Sequence, residues 1–196
     1  MIILNENMNN LLTSLSKFSE ETYMHSIRVS ELCVAFGQSI GLKDEDIEKL
    51  RIAGLFHDIG KLCIPLQILH KPDKLSNEEY ECIKKHPSFG VGLLIDAKVD
   101  DKELLNMVLM HHERPDGLGY PNRVIQNDIS YLTSILTICD CYDAIYSKRI
   151  YHEKKNYEYI NNELLTNAGT QFDSYYVKLF LNFMNDQERF TEKRKK

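Results

Sequence analysis

The feature that most constrains the fold is the helical spacing of apolar residues along nearly the whole chain. No stretch shows the sustained alternation of apolar and polar residues that is typical of a half-buried β-strand. Signals for helix ends divide the chain instead: Gly41 follows one apolar segment, Asp44 and Ser76 precede two others, and Pro87 occupies a first turn. The sequence therefore predicts an all-α fold.

Helical segments are predicted near residues 3–17, 20–40, 44–57 and 76–85, from residue 87 onward, from 128 to 147, and near 154–166 and 173–189. Asp100 and Asp101 precede a further predicted helix, which ends at His112. Gly60 and Pro65 predict a loop after the third segment, and Asp128 is predicted to begin the long apolar helix. In terms of domains, we expect an N-terminal helix over residues 1–17, one main domain over 18–190 and a disordered basic tail over 191–196.

Composition excludes several classes of partner. The formal net charge of −5 argues against a polymeric nucleic acid, which is bound mainly by neutralising phosphates. The most apolar stretch, residues 131–145, is interrupted by Asp140 and Asp143, and the N-terminus lacks the pattern of a signal peptide. Five scattered cysteines are typical of reduced thiols. We therefore expect a cytoplasmic protein that does not bind a membrane.

Several ionisable residues directly follow apolar segments. His57 and Asp58 come after the apolar run at residues 52–56, and Asp140 follows the run at 135–139. A buried ionisable side chain is costly unless it is paired or bound to a metal. Each residue alone is compatible with an ordinary satisfied polar side chain, so the argument depends on the whole set.

The other candidates also lie at helix ends or on one helix face: Glu21 and His25 four residues apart, His86 at a helix start, and the adjacent His111 and His112 at a helix end. A mixture of imidazoles and carboxylates suits iron, manganese or zinc better than calcium or magnesium. The pattern indicates a metal centre built from several helices.

Four motifs carry a resemblance to a known family: HDIGK at residues 57–61, HP at 86–87, HHERPDGLGYP at 111–121 and DCYDA at 140–144. In order and content they resemble the HD-GYP family, a branch of the HD metallophosphohydrolases, from about residue 21 to residue 180. The resemblance implies an HD-domain helical bundle with additional C-terminal helices, so residues 18–190 are interpreted as the catalytic domain. It also implies a metal-dependent phosphodiesterase that hydrolyses cyclic di-GMP to linear pGpG, with or without further cleavage to GMP.

The resemblance also implies the metal ligands. They are Glu21, His25, His57, Asp58, His86, His111, His112 and Asp140. Asp58 is expected to bridge two metals, and Glu21 matches the additional carboxylate of members with three. We expect two or three divalent ions, with iron or manganese favoured.

Most of the residues expected to act on the substrate are not metal ligands. Two cations about 3.5–4 Å apart can hold a hydroxide between them and bind a phosphate oxygen for in-line attack on phosphorus. By resemblance, Asp58 and Lys61 are catalytic, and Lys61 contacts the scissile phosphate. Tyr120, Arg149 and His152 are expected to contribute to substrate binding. Glu113, Arg114 and Asp116 are interpreted as residues that stabilise the turn.

The chain departs from the usual family pattern at several positions that are not metal ligands: Leu66, Arg123, Gln126, Ser130, Ser134, His152 and Ser174. The changes at Arg123 and His152 bear on substrate affinity and base preference. Cyclic GMP-AMP is therefore an alternative substrate. A second alternative is a non-hydrolysing sensor of cyclic dinucleotides, or a module that docks a signalling protein through the turn at residues 117–121. A generic HD nucleotidase would explain His57 and Asp58 but not the extended turn.

Overall fold

The helices that the sequence predicts are present in the computed structural model. The model describes residues 4–150 and 156–193, apart from the side chains at 148–150, 156–157 and 188–193. Over this part of the chain the helices are α1 (Glu6–Phe18), α2 (Glu20–Ser39), α3 (Asp44–Phe56), α4 (Leu66–Leu69), α5 (Asn77–Ile83), α6 (His86–Asp96), α7 (Lys102–Met110), α8 (Tyr131–Ile150), α9 (Asn156–Thr166) and α10 (Ser174–Lys193). Two 3₁₀ turns, Ile59–Cys63 and Gln126–Asp128, complete the regular structure, and these residues form no β-strand beyond isolated bridges. The all-α prediction is confirmed.

Helix ends follow the predicted signals at three positions. Gly41 has φ +72° after α2, and the Leu42 N–H donates to the Gly37 carbonyl at 3.0 Å, as in a Schellman motif. Ser76 forms a capping box with Glu79 at the start of α5. The side chain of Asp101 accepts from the Leu104 N–H and caps α7.

Two predicted caps were wrong. Lys43, not Asp44, is the N-cap of α3, and Asp44 lies in the first turn, where its charge complements the helix dipole. Asp128 lies in a 3₁₀ turn, and α8 begins at Tyr131 after Ser130, whose hydroxyl accepts from the Thr133 N–H at 3.1 Å. The segment predicted as a loop after residue 58 contains a 3₁₀ turn and α4, and α10 extends to Lys193, three residues into the predicted tail.

Close contacts between segments bring the predicted metal ligands near one another. A Cβ on Gly54 of α3 would lie 2.6 Å from Ser30 Cα of α2, so only glycine permits these two helices to approach so closely. A Cβ on Gly60 would lie 1.9 Å from the His86 carbonyl oxygen, so the turn after α3 lies directly against the start of α6. Helix α8 packs on both α2 and α3. These contacts bring the ends of several helices to one place.

A single apolar core connects the helices. Its largest fully buried side chains include Phe36, Phe56, Phe172 and Phe180. Helix α1 belongs to the same core through Met8 and Leu15, which are 1% and 0% exposed. None of the helices in the described residues is long and apolar enough to cross a membrane.

Candidate metal centre

Three histidines of the centre are oriented by the carbonyls that helix ends leave free. The Nδ1 atoms of His57, His86 and His111 lie 2.9, 2.8 and 2.8 Å from the carbonyl oxygens of Gly54, Ile83 and Val108, respectively. The last four carbonyls of a helix have no partner within the helix, so each can accept from a ring N–H three residues later. Because each Nδ1 donates to the backbone, each neutral ring presents an unprotonated Nε2. The position of these histidines at helix ends therefore directs their ligand atoms inward.

The inward-facing nitrogens meet at distances that a cation would relieve. The Nε2 atoms of His86 and His111 lie 3.2 Å apart in a fully buried environment. Burial also lowers the pKa of His111 well below its usual range, which keeps that ring neutral. Two neutral rings with protonated Nδ1 atoms would place two lone pairs face to face. A shared metal ion removes this repulsion, so the residues fit a metal site.

Asp58 faces both parts of the histidine cluster. Its Oδ1 lies 3.3 Å from His86 Nε2, and its Oδ2 lies 3.5 Å from His57 Nε2 and 2.6 Å from Lys61 Nζ. Burial would raise the pKa of the Asp58 carboxyl, but the positive charge of Lys61 holds that pKa well below its usual range. An ionised carboxylate with one oxygen on each side can bridge two metal ions.

Asp140 enters the same cluster from α8. Its Oδ1 lies 3.0 Å from His25 Nε2 and 3.6 Å from His57 Nε2. Burial disfavours the imidazolium form of His25, but the hydrogen bonds with Asp140 and Asp143 outweigh this and raise the pKa of His25 to about 10. The carboxylates of Asp140 and Asp143 thus stabilise a positive charge beside His25, which a proton or a metal ion can supply.

Asp143 contacts the cluster, although the sequence analysis did not assign it to the site. Its Oδ2 lies 2.7 Å from His25 Nδ1, and its side chain is 6% exposed. Arg28 Nε and Nη2 donate to its two oxygens at 2.8 and 2.9 Å. The signal was available: Asp143 lies three residues after Asp140 in an apolar helix, so both carboxylates share one face.

His112 lies beside the cluster and against the glycine-rich turn. Its ring centroid is 5.0 Å from that of His86 and 4.7 Å from that of Tyr120. Burial lowers the pKa of His112 to about 3, so this ring is also neutral. Tyr120 thus packs against the His112 ring. Among the described residues, Tyr120 does not line the cleft that opens beside the cluster.

The turn after His112 is organised by Glu113, as predicted. This 2% exposed carboxylate accepts from the backbone N–H groups of Asn122, Arg123 and Val124 at 2.6, 3.0 and 3.2 Å. Gly119 is required because a Cβ there would lie 2.5 Å from backbone atoms of residues 113 and 114. Arg114 and Asp116, also interpreted from the sequence as residues that stabilise the turn, form an ion pair on its outside.

A cleft of about 970 Å³ opens from the cluster. Asp58, Lys61, His112 and Asp140 lie at its base, and Ala144 and Ser147 extend along α8. Its remaining lining residues come from the start of α2 and from α4 and the residue after it: Ser19, Glu20, Glu21, Thr22, Met24, His25, Arg28, Leu69 and His70. His70, which the sequence analysis did not assign to the site, is therefore a candidate for substrate contact.

The structure brings seven predicted ligands into three overlapping groups in which one possible ligand atom from each residue lies within 4.8 Å of the others. The groups are His86, His111 and His112; His25, His57 and Asp58; and His57, His111 and Asp140. Glu21 is exposed on the cleft wall and, among the described residues, belongs to none of these groups. The predicted contacts of Arg149 and His152 lie outside the described side chains.

Comparison with known proteins identifies the family. The HD domain family model matches residues 7–175. The chain belongs to the HD domain family. The recognition made from the motifs is therefore confirmed, and divalent metal binding is the expected chemistry of this HD domain.

The curated relatives are enzymes acting on cyclic dinucleotides. A cyclic di-GMP phosphodiesterase of Pseudomonas aeruginosa is 40% identical over 145 residues, which are 74% of this chain and 35% of the relative. A 3'3'-cGAMP-specific phosphodiesterase of Vibrio cholerae is 35% identical over 173 residues, covering 88% of this chain and 33% of the relative. The chain thus spans about a third of the length of these relatives.

Solved structures agree on the fold. The HD domain of the Listeria monocytogenes phosphodiesterase PgpH, solved in complex with cyclic-di-AMP, has a TM-score of 0.70 at 18% identity and covers 93% of this chain and 96% of that one. An HDG"Y"P protein of Bdellovibrio bacteriovorus has a TM-score of 0.66 at 23% identity and covers 83% of this chain and 52% of that one. These similarities confirm the predicted HD-type helical bundle.

Proposed function

We propose that this HD domain is a metal-dependent phosphodiesterase that hydrolyses cyclic di-GMP to linear pGpG and then to GMP. The observation that carries the proposal is the convergence of seven imidazole and carboxylate side chains in one cluster, of which His25, Asp58, His112 and Asp140 line an open cleft together with Lys61. The relatives named cyclic di-GMP phosphodiesterases support the substrate. The cleft, about 970 Å³, lies at the upper end of the range of roughly 300–1,000 Å³ for ligand pockets. A cleft of this size can accommodate a dinucleotide.

Two cation positions follow from the arrangement of the ligands. One would be held by His86, His111 and His112, and the other by His25, His57 and Asp140, with Asp58 between them. When bound, two divalent ions supply an activated water and stabilise negative charge on the phosphate. Imidazole and carboxylate ligands favour iron or manganese. A third ion would need Glu21, which lies farther out on the cleft wall.

The protein's own residues bind and orient the substrate. Lys61 is positively charged because the attraction of Asp58 outweighs the effect of burial and raises its pKa, so its ammonium group can neutralise a phosphate at the base of the cleft. Tyr120 packs against the ring of His112, and Glu113 stabilises the turn that places Tyr120 there. The exposed cleft wall leaves room for the second nucleotide. Arg149 and His152 remain proposed substrate contacts.

The decisive experiment is turnover of cyclic di-GMP by the chain loaded anaerobically with Mn(II) or Fe(II), with metal content measured on the same sample. Linear pGpG formation with two ions per chain is expected, and GMP should follow. The Glu21→Gln variant, loaded with metal in the same way, tests for a third position. If Glu21 holds a third ion, the variant should contain one metal ion fewer per chain than the parent. A fully metallated chain that binds cyclic di-GMP without cleaving it would overturn the proposal in favour of the sensor.

Cyclic GMP-AMP is the second candidate substrate, because a Vibrio cholerae relative at 35% identity is specific for it. The same assay with equimolar cyclic di-GMP and cyclic GMP-AMP compares kcat/KM directly. A higher kcat/KM for cyclic GMP-AMP would reverse the assignment while leaving the reaction unchanged. Docking of a signalling protein at the turn and a cytoplasmic location remain predictions from the sequence.

A further inference from the structure

His25 is oriented differently from the other histidines of the metal centre. His57, His86 and His111 each use a free carbonyl of their own segment, three residues earlier. His25 lies in the interior of α2, where the carbonyls of the helix are occupied by its own N–H groups. Its Nδ1 instead contacts Asp143 of α8 at 2.7 Å. The orientation of His25 therefore depends on a contact between two helices.

The carboxylate that orients His25 is itself held by Arg28. Nε and Nη2 of Arg28 donate to the two oxygens of Asp143, so the guanidinium fixes the plane of the carboxylate. Ser147 contributes one longer bond of 3.2 Å to the same Oδ2 that contacts His25. A single hydroxyl cannot fix this plane, whereas the bidentate guanidinium can.

Helix geometry explains why Arg28 can reach this carboxylate. Arg28 lies three residues after His25 on α2, and Asp143 lies three residues after Asp140 on α8, so each pair shares one face of its helix. The two pairs lie against each other: His25 contacts both Asp140 and Asp143, and Arg28 contacts Asp143. Each helix thus carries one predicted ligand, His25 or Asp140, and three residues later one member of the Arg28–Asp143 ion pair.

We propose that Arg28 is a positioning residue of the metal centre, which acts through Asp143 to hold His25 in its ligand orientation. The inference rests on the proposed function, because it assumes that His25 is a metal ligand. It assigns Arg28 to the cation position formed by His25, His57 and Asp140. The side chain of Arg28 also lines the cleft and is 38% exposed, so direct contact with substrate is the competing role.

The test measures Mn(II) binding to the full chain without substrate, by titration with detection of free Mn(II) by electron paramagnetic resonance. Arg28→Met should weaken Mn(II) binding about 10–100-fold at one position and leave the other unchanged. Arg28→Lys should give an intermediate loss, because it keeps the charge but not the bidentate geometry. Asp143→Asn should affect the same position, and the double variant should be no worse than the more severely affected single variant.

Arg51 provides a matched control. It forms a bidentate pair with Glu48 on α3 at 2.8 and 2.7 Å, and its side chain is 33% exposed, similar to Arg28. Arg51→Met should keep the parent Mn(II) affinities. Equal losses in the Arg28 and Arg51 variants would mean general destabilisation and would overturn the proposal.

Kinetics separate positioning from substrate contact. For a positioning role, saturating Mn(II) should restore the kcat of Arg28→Met with an unchanged KM. Parent-like Mn(II) affinity with a raised KM would overturn the proposal in favour of substrate contact; Arg28→Lys keeps the test open if Arg28→Met does not fold. A parent chain that binds Mn(II) but hydrolyses no cyclic dinucleotide would overturn the proposed function and leave the role of Arg28 standing.

Discussion

The buried floor of the cleft and its outer wall differ in how their side chains are held. We call the buried side chains at and directly behind the base of the cleft its floor: Asp58 lines the cleft, His57, His86 and His111 lie behind it, and all four are at most 2% exposed. The wall side chains are exposed to solvent: Glu20, Glu21, Met24 and His70. Backbone carbonyls and buried charges fix the floor, so its atoms have one arrangement, whereas the exposed wall residues can adjust to a ligand. Under the proposed function, we therefore expect the floor to perform the chemistry and the wall to select the substrate.

The largest expected effect is loss of the floor carboxylate. Asp58→Ala removes the group between the two proposed cation positions and leaves Lys61 without its 2.6 Å partner. We expect turnover of cyclic di-GMP to fall by more than about 10³-fold, together with loss of bound metal. Asp116→Asn, on the outside of the turn, is the control and should keep near-parent turnover. Parent-like activity of Asp58→Ala would refute the role of the floor.

A second variant tests the close approach that forms the floor. Gly60→Ala places a Cβ 1.9 Å from the His86 carbonyl oxygen, so the turn and α6 must separate. We expect the free energy of unfolding to fall by about 3 kcal/mol, measured by urea denaturation. Gly92→Ala in α6 meets nothing within 4 Å and should stabilise by about 0.5–1 kcal/mol. Equal effects of the two alanines would contradict the packing argument.

Addition of Mn(II) should stabilise the fold through the floor of the cleft. Because the His86 and His111 nitrogens lie 3.2 Å apart, the folded state should bind Mn(II) much better than the unfolded chain. At a free concentration 100 times the dissociation constant, each site should stabilise the fold by about 2.7 kcal/mol. Thermal denaturation with and without Mn(II), and after chelation, measures this. Mn(II) should raise the Tm of the His86→Ala variant by less than that of the parent, because only one of the two proposed positions loses a ligand. A parent Tm that does not respond to Mn(II) would contradict the metal centre.

The smallest effect is expected on the wall. His70→Ala removes an exposed side chain from the cleft without touching the floor. We expect KM for cyclic di-GMP to rise about 2–10-fold, as for loss of one hydrogen bond, with kcat and metal content unchanged. A fall in kcat with bound metal retained would move His70 from substrate binding to the chemistry itself.

Much of the fold was predictable because helices are local. The period of apolar residues and the end signals at Gly41, Ser76 and Asp101 depend only on neighbours in sequence, and the structure confirms them. The errors at Asp44 and Asp128 arose where a neighbouring residue took the cap position. Competition between adjacent candidates is decided by small energies that a pattern does not resolve.

For the candidate site, the sequence by itself determined the donor types and predicted their places at helix ends, on one helix face or directly after apolar runs. That was sufficient to indicate a metal centre and, with the motifs, the family. Only the tertiary structure decided that Asp143 orients His25, that Arg28 holds Asp143, and that Glu21 lies apart from the other ligands. The physical reason is that residue spacing fixes which side chains share one helix face, whereas the distance between two helices depends on packing across the core.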